Sequence, residues 1–280
     1  MDVIKSHGKR VPFDKEKVKI SIRRSGASEE IVNRVADYAE SKAYDGMTTK
    51  ELYDIVFQEL QGEQACFACR YGLRAAILKL GPAGFKFEKY VAAILRAYDY
   101  DAHVPDGEFK GSCVFHEIDG IAEKDGRRIM VEAKFRNRYN DRVNLKDTMA
   151  TWSRFLDLVD GAANEETPKF DEAWLVTNAK FSDRALAFGQ CKGMYMVSWN
   201  APKKNSLAHM VDFRSMYPVT VLDKLRQSEL EALSRESLLL CREVGKKEPE
   251  ELERRLGVSD KRAQELVRMC TEVVEGGNTK

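Results

Sequence analysis

The sequence has no long apolar run and no excess of charge of one sign. Of its 280 residues, 46 are Lys or Arg and 45 are Asp or Glu, which gives a formal net charge of +1. This balance excludes a nucleic-acid-binding protein that works by bulk charge alone, so any contact with DNA must come from a local patch. No stretch approaches the roughly 18 uncharged apolar residues of a membrane helix, and the first residues lack the apolar stretch of a signal peptide. We therefore expect a cytoplasmic protein.

Cysteine is also sparse. The six cysteines are spread along the chain, which is typical of a reduced protein and not of a disulfide framework. Cys66 and Cys69 form one C-x-x-C pair, but no second pair or neighbouring His completes a zinc site. The composition is otherwise globular, because 43% hydrophobic residues supply enough apolar material for buried cores. A chain of 280 residues allows two or three domains.

Glycine and proline divide the chain into three predicted domains, 1–82, 83–202 and 203–280. The first boundary is Gly81-Pro82-Ala83-Gly84, where two glycines and a proline end a helix. Before it, the pattern predicts a short hairpin and helices at about 14–25, 28–43, 48–60 and 64–80, with Asp14 and Thr48 as N-caps. The third domain follows a polar stretch at about 200–205 and is predicted to be helical to its end.

The middle domain changes from helical to strand periodicity. Apolar residues at 87, 90, 91, 94 and 95 predict a helix. A pair of strands is predicted between Cys113 and Phe135 around Asp125-Gly126, a sequence that favours a two-residue hairpin turn. The rest of the pattern predicts helices at about 142–160 and 182–191 and strands at about 173–177 and 194–199. Strands that alternate with helices indicate an α/β core with helices on both faces.

The predicted hairpin register brings two acids together. If Lys124 faces Arg127, then Asp119 lies opposite Glu132, and Lys134 lies two positions along the same face. Directly opposed residues have Cβ atoms roughly 4.5–5.5 Å apart, so the two carboxylates repel unless a cation offsets them. Hard oxygen ligands favour Mg²⁺ or Mn²⁺. The alternative is a solvated face on which acids and bases alternate for solubility.

Three short motifs of this domain together resemble the PD-(D/E)XK nuclease superfamily. They are Glu88 on the leading helix, Ile118-Asp119-Gly120 and Val131-Glu132-Ala133-Lys134. The resemblance covers about residues 85–199 and is strongest to the restriction-endonuclease-like (Mrr-like) branch, although Ile118 stands where a proline is common. It implies a metal-dependent endonuclease that hydrolyses phosphodiester bonds in DNA, with Mg²⁺ or Mn²⁺ as cofactor. Asp119, Glu132 and the Ala133 carbonyl would bind the metal, and Lys134 would orient a water or stabilise developing charge. Glu88 would reach the metal through water or bind a second ion.

Basic residues follow this motif. In such an enzyme, five of them would contact the DNA backbone: Arg136, Arg138, Arg142, Lys146 and Arg154. A helix face in water is the alternative interpretation for each of them.

The first domain resembles the ATP-cone, a nucleotide-binding regulatory domain found in ribonucleotide reductases and their transcriptional repressor. The matching residues are Val3 to Gly8, Pro12 to Asp14 with Lys17-Val18, Ser21-Ile22 followed by Gly26, and Thr48 to Leu52. The resemblance implies that ATP or dATP is a regulatory ligand. Lys5 and Lys17 would pair with its phosphates, Val3, Val18 and Leu52 would surround the base, Thr49 would hydrogen-bond near the adenine and Tyr53 would line the site. Ser6 and His7 replace the usual Arg-Asp, so one phosphate contact is missing.

Near the C-terminus, Leu256-Gly257-Val258-Ser259 resembles half of a helix-hairpin-helix motif, whose loop amides bind a DNA phosphate. This resemblance implies DNA contacts at Gly257 and Lys261. A plain helical turn is the alternative.

The sequence therefore predicts an α/β multidomain protein with three parts: a mostly helical ATP-cone with a small hairpin, a PD-(D/E)XK α/β core and a helical C-terminal module. Its predicted function is a nucleotide-regulated, Mg²⁺-dependent DNA endonuclease with DNA and an adenine nucleotide as partners. Homo-oligomers are compatible with the sequence. A non-catalytic DNA-binding regulator that senses ATP or dATP is the rival, and a nuclease acting on RNA or on particular nucleic-acid structures is a third reading that the sequence does not separate from the first.

Overall fold

A computed structural model gives the structure of residues 1–81, 86–163 and 167–276. The described residues form a mixed α/β protein with two compact units. Residues 1–79 and the residues from Tyr217 onward make up the first unit, and Leu80–Met216 make up the second. Of the predicted boundary Gly81-Pro82-Ala83-Gly84, the last three residues lie outside the described residues.

The chain begins with a small sheet and five helices of the first unit. The strands are β1 (Asp2–Ile4), β2 (Arg10–Pro12) and β3 (Met47–Thr48), in the order β2-β1-β3. The helices are α1 (Lys15–Arg23), α2 (Glu29–Lys42), α3 (Thr49–Glu63), α4 (Ala65–Tyr71) and α5 (Leu73–Leu78). The predicted hairpin and first three helices are confirmed. The sequence does not predict β3, because a two-residue strand shows no alternation of apolar and polar residues.

Helix starts in this part are set by side-chain caps. The Asp14 carboxylate accepts a hydrogen bond from the backbone N–H of Lys17, and Thr48 forms a capping box with Glu51, so both predicted N-caps are confirmed. The single helix predicted over 64–80 is wrong, since α4 and α5 are separated at Gly72. A Cβ at Gly72 would lie 3.2 Å from the Tyr53 hydroxyl, so the chain there has little room for a side chain.

The second unit is built around a five-stranded sheet in the order β12-β10-β8-β7-β4. Its helices are α6 (Phe87–Ala97), α7 (Leu145–Ala163), α8 (Asp183–Cys191) and α9 (Leu207–Arg214). The sheet strands are β4 (Asp101–His103), β7 (Gly120–Lys124), β8 (Arg127–Lys134), β10 (Glu172–Thr177) and β12 (Tyr195–Val197). Two short ribbons pair β5 (Glu108–Lys110) with β6 (Phe115–Glu117) and β9 (Arg142–Val143) with β11 (Lys180–Phe181).

The predicted register of the central hairpin is confirmed. β7 and β8 are antiparallel, with Lys124 opposite Arg127 and Gly120 opposite Val131. Asp125 and Gly126 have φ values of 52° and 75°, as a type I′ turn requires. The strand predicted from Cys113 is too long, however, because Phe115–Glu117 turns away to pair with β5.

Both faces of this sheet are covered, as predicted. On one face Ile121 and Met130 pack in a buried cluster with Phe155 of α7 and Ala185 of α8. On the other face α6 packs against β7 and β8. The helix predicted from residue 142 begins later, at Leu145, because Arg142–Val143 forms β9 instead. Burial of apolar side chains on both faces is the main stabilisation of this core.

The end of α7 lies very close to the loop after β5. A Cβ at Gly161 would lie 2.8 to 2.9 Å from backbone atoms of Lys110, Gly111 and Ser112. We therefore expect Gly161→Ala to lower the free energy of unfolding by about 1–3 kcal/mol, since backbone must move to admit the methyl group. Urea denaturation of the full chain measures this. Ser153→Ala, at an exposed position of α7, is the control and should change stability little; equal stability of the Gly161 variant would contradict the packing.

The chain returns to the first unit after Met216. Its elements there are a 3₁₀ turn (Val219–Val221) and the helices α10 (Gln227–Arg235), α11 (Cys241–Val244), α12 (Pro249–Leu256) and α13 (Asp260–Glu275). The buried Arg70 guanidinium of α4 donates to the carbonyl of Val273 at 2.8 Å, which ties α13 to the N-terminal helices. Residues 203–216 of the predicted C-terminal module lie in the second unit. The three domain boundaries stay a prediction.

None of the helices within the described ranges has the length and apolar character needed to cross a membrane.

Candidate active site

Three acidic side chains lie near the open end of the β7–β8 hairpin, away from its turn. Asp119 immediately precedes β7, Glu132 is near the end of β8, and Glu88 is in the first turn of α6. Glu88 and Asp119 line the same narrow cleft as Ala133. The cleft therefore brings together Glu88, Asp119 and Ala133, and Glu132 is next to Ala133 on β8.

Asp119 departs from the regular pairing expected for it. The ladder ends at Gly120 and Val131, and Asp119 lies in a bend. Its Oδ2 accepts a hydrogen bond from the backbone N–H of Ala133 at 2.8 Å. That bond fixes the carboxylate beside β8 without a direct cross-strand pair with Glu132.

The surroundings of Asp119 disfavour its charge. Burial raises the pKa of Asp119 above its usual range, and the negative charges of Glu132 and Glu88 raise it further, while the Ala133 N–H and Lys134 oppose the shift. A carboxyl group whose pKa is raised by burial and by neighbouring carboxylates is typical of functional sites, and a bound cation would offset the repulsion.

We expect Asp119→Asn to raise the thermal midpoint of the metal-free protein at neutral pH. Because the folded pKa is raised, the stability linked to Asp119 is fully present below the unfolded pKa and is lost as the pH rises through the folded pKa. The charged carboxylate therefore costs stability at neutral pH, and an amide removes that cost while its oxygen still accepts from Ala133. Thermal unfolding in EDTA at pH 7 and pH 4 measures this, and the gain should shrink at pH 4. An unchanged or lower midpoint at pH 7 would contradict the electrostatic argument.

Glu132 is the buried acid of the site, with a relative exposure of 2%. Its Oε1 forms an ion pair with the Lys134 ammonium, and its Oε2 forms one with the Arg154 guanidinium. Lys134 therefore lies beside Glu132. Arg154 reaches Glu132 from α7. The sequence analysis assigns Arg154 to the DNA backbone, whereas in the structure its guanidinium contacts Glu132.

These pairs bear on metal binding. Within the described ranges, no three His, Cys, Asp or Glu side chains are grouped as a ready metal site. At the hairpin, both oxygens of Glu132 are engaged by cations. The donor set itself consists of carboxylate and carbonyl oxygens, which fits a hard divalent cation. Cys66 and Cys69 are buried free thiols on α4.

Two buried polar residues hold the end of β8. The Thr177 hydroxyl donates to the carbonyl of Lys134 at 2.6 Å. Asn178 accepts from the Arg136 N–H at 2.8 Å and donates to the Arg136 carbonyl at 2.7 Å. Thr177 and Asn178 lie within the span of the nuclease resemblance, but the sequence assigns them no role. Their contacts fix the backbone from the Lys134 carbonyl to Arg136, directly after the Lys134 side chain.

The residues predicted to contact DNA differ in their surroundings. Arg136 forms a half-buried ion pair with Asp147 at 2.6 Å. Arg138 and Arg142 are exposed. In the first unit, Gly257 ends α12 with φ of 65°, a left-handed conformation that favours glycine, and Lys261 is exposed at the start of α13. The two groups lie in different compact units.

A second site lies in the first unit. A cavity of about 720 Å³ is lined by all seven residues predicted to bind a nucleotide: Val3, Lys5, Lys17, Val18, Thr49, Leu52 and Tyr53. That volume is within the range of small-molecule sites, about 300–1,000 Å³. The Lys17 ammonium lies 2.8 Å from the Asp14 carboxylate and is 81% exposed, so it is accessible to a ligand.

Sequence analysis misses two lining residues of this cavity, Val11 of β2 and Tyr71 of α4. The Tyr71 ring stacks on Tyr53 with centroids 5.1 Å apart, and burial raises the pKa of the Tyr71 hydroxyl. No local pattern links Tyr71 to the other lining residues, because it comes from a separate helix.

The two units place the chain in a class of α/β proteins that combine a cavity of small-molecule size in one unit with a carboxylate-lined cleft in the other. Comparisons with known proteins identify the domains. Residues 1–73 match the ATP cone domain, residues 82–201 match a restriction endonuclease family, and residues 217–274 match the AF1548-like C-terminal domain.

A sequence match and a solved structure extend these matches. An uncharacterized protein of Archaeoglobus fulgidus is 35% identical over 165 residues, which cover 59% of this chain and 89% of that protein. The crystal structure of AF1548, a protein of unknown function, matches with a TM-score of 0.56 and 32% identity, covering 68% of this chain and 97% of that one. The chain belongs to this AF1548-like family and carries an ATP-cone followed by an Mrr-like restriction-endonuclease domain.

Proposed function

We propose that the protein is a Mg²⁺- or Mn²⁺-dependent endonuclease that hydrolyses phosphodiester bonds in DNA under the control of an adenine nucleotide. The observation that carries this proposal is the grouping of Asp119, Glu132 and Lys134 at one end of the β7–β8 hairpin, with Glu88 beside Asp119 in the same cleft. The restriction endonuclease match supports the reaction class, and the ATP cone match supports nucleotide control.

Each residue has a defined task in this proposal. Asp119, Glu132 and the Ala133 carbonyl hold the divalent cation, and Glu88 adds a carboxylate through water or at a second ion. When bound, the cation polarises a phosphoryl oxygen and acidifies a water. Lys134 stabilises the negative charge that develops on the phosphate, because its ammonium already lies at Glu132.

DNA is the proposed substrate because residues 82–201 match a restriction endonuclease family, and exposed cations follow β8 in the sequence. Arg138, Arg142 and Lys146 are exposed just before and within the first turn of α7. Exposed Arg and Lys side chains pair with backbone phosphates without reading sequence. Gly257 and Lys261 are proposed as a further phosphate contact in the first unit.

ATP or dATP is the proposed regulator. Lys5 and Lys17 offer two cations at the cavity of the first unit, and Val3, Val18 and Leu52 offer apolar surface for a base. Thr49 supplies a hydroxyl for the adenine, and the stacked Tyr53 and Tyr71 supply aromatic surface. Bound nucleotide would change cleavage or self-association of the chain.

A non-catalytic DNA-binding regulator is the second candidate. It is favoured by the pairing of both Glu132 oxygens with cations, which suits a site that never binds metal. Purified full chain should be incubated with plasmid, four-way junction, single-stranded DNA and RNA, in EDTA, Mg²⁺ or Mn²⁺, with and without ATP or dATP. Metal-dependent cleavage of DNA that responds to nucleotide is expected. DNA binding without cleavage under every condition would favour the regulator, and cleavage of RNA alone would reassign the substrate.

A further inference from the structure

The two cations on Glu132 come from different elements. Lys134 is two residues away on the same strand, whereas Arg154 is 22 residues away on α7. The tasks assigned above use Lys134 and leave Arg154 without one. Its guanidinium is partly exposed, at 29%, while the carboxylate it contacts is buried.

The charges at the site explain why Arg154 is there. A buried carboxylate is costly unless it is paired and hydrogen-bonded. Without a metal, Lys134 and Arg154 together satisfy both oxygens of Glu132. A divalent cation at Asp119 and Glu132 takes over that compensation and repels a guanidinium on the same carboxylate. One of the two cations must then leave Glu132.

Arg154 is the one able to leave. Lys134 is confined to β8, whose end is held by Thr177 and Asn178. The side chains of Lys134 and Arg154 are similarly exposed, at 32% and 29%, so exposure does not distinguish them, but Arg154 extends from a different element, α7. Its planar fork of donors matches two oxygens of a phosphate, and a phosphodiester brings a negative charge to the same place.

We propose that Arg154 is an exchangeable counterion of the site. It neutralises Glu132 before a divalent cation binds, and it contacts a phosphate of the DNA once the cation is bound. This inference rests on the proposed metal-dependent nuclease function. Bound metal frees Arg154 to contact DNA, and bound DNA draws Arg154 away from the metal site. Metal binding and DNA binding are therefore cooperative, and each raises the affinity for the other by the same factor.

The first test measures Mn²⁺ binding to the full chain without DNA, by electron paramagnetic resonance of free Mn²⁺. Arg154→Gln should bind Mn²⁺ roughly tenfold more tightly than the wild type, because a competing cation is gone. Arg184→Gln, an exposed position of α8, removes the same charge and should change the affinity little. A gain in affinity is a result that mere structural damage would not produce.

The second test measures DNA binding with Ca²⁺ in place of Mg²⁺, by fluorescence anisotropy, with a gel to show that the duplex stays intact. Arg154→Gln should lose roughly tenfold in DNA affinity in Ca²⁺ and much less in EDTA, since the phosphate contact forms only with metal bound. Arg154→Lys keeps the positive charge, so it provides a second test if Arg154→Gln does not fold. It should bind Mn²⁺ nearly as the wild type does and bind DNA in Ca²⁺ more weakly, because the two-pronged contact is lost.

The outcomes separate this inference from the proposed function. If Asp119→Asn abolishes Mn²⁺ binding but Arg154→Gln does not tighten it, the exchange is overturned and the metal site stands. If the wild type binds no Mn²⁺ that depends on Asp119, both fail. Equal loss of DNA affinity by Arg154→Gln in EDTA and in Ca²⁺ would make Arg154 an ordinary phosphate contact and also overturn the exchange.

Discussion

Glu132→Gln should abolish metal-dependent DNA cleavage, with a loss of at least about a thousandfold in the rate constant. The amide keeps the shape of the side chain but loses the charge that would hold the cation and that pairs with Lys134 and Arg154. Single-turnover cleavage at saturating DNA and Mg²⁺ measures this loss, and circular dichroism melting shows whether the variant is folded.

Matched variants make the result specific to the site. Glu123→Gln removes an acid from the same hairpin, where it pairs with Arg128 at the surface, and should leave cleavage unchanged. Asp119→Asn should be as inactive as Glu132→Gln and yet more stable than the wild type, so activity and stability would move in opposite directions. Normal cleavage by either site variant would remove the nuclease assignment from this hairpin.

The double variant Lys5→Ala and Lys17→Ala should lose nucleotide binding. At a ligand concentration of a hundred times the dissociation constant, binding stabilises the wild type by about 2.7 kcal/mol. Removal of two charge-assisted phosphate contacts, at about 1.4 kcal/mol each, weakens affinity roughly a hundredfold. The stabilisation at the same concentration then falls to about 0.4 kcal/mol. Denaturant unfolding of the full chain with ATP, dATP or GTP measures the difference.

The full chain is needed because residues 1–79 share a compact unit with the residues from Tyr217 onward. The control is Lys9→Ala with Lys42→Ala, two exposed lysines that do not line the cavity, and it should respond to nucleotide as the wild type does. Undiminished stabilisation of the Lys5 and Lys17 variant would rule out the phosphate contacts. Nucleotide binding with unchanged cleavage and unchanged mass would keep the site and discard regulation.

Local patterns were sufficient for the central hairpin and for the helix that follows the first boundary. The turn Asp125-Gly126 admits positive φ at both positions, and alternation with period two then fixes which residues are opposed. The helical spacing that begins at Phe87 fixes the face of α6 that packs on the sheet and places Glu88 in its first turn. These features depend on neighbours in sequence, so the sequence alone determined them.

Other features depend on distant parts of the chain and were decided only by tertiary structure. The short strands β3, β4, β9 and β11 have no periodicity of their own and exist because a partner strand lies beside them. The bend at Asp119 is another such feature. The local pattern predicts a regular pair between Asp119 and Glu132, but strand pairing ends at Gly120 and Val131, and Asp119 instead accepts a hydrogen bond from the Ala133 N–H.

The contact between Arg154 and Glu132 is also one that the sequence does not predict. Nothing near Arg154 in sequence distinguishes it from the other basic residues that follow Lys134. Packing of α7 over the sheet brings its guanidinium to a buried carboxylate. Tyr71 reaches the cavity of the first unit, and α13 reaches Arg70 of α4, in the same way. Each contact joins elements far apart in the chain, and only the packing of the whole unit brings their side chains within reach of one another.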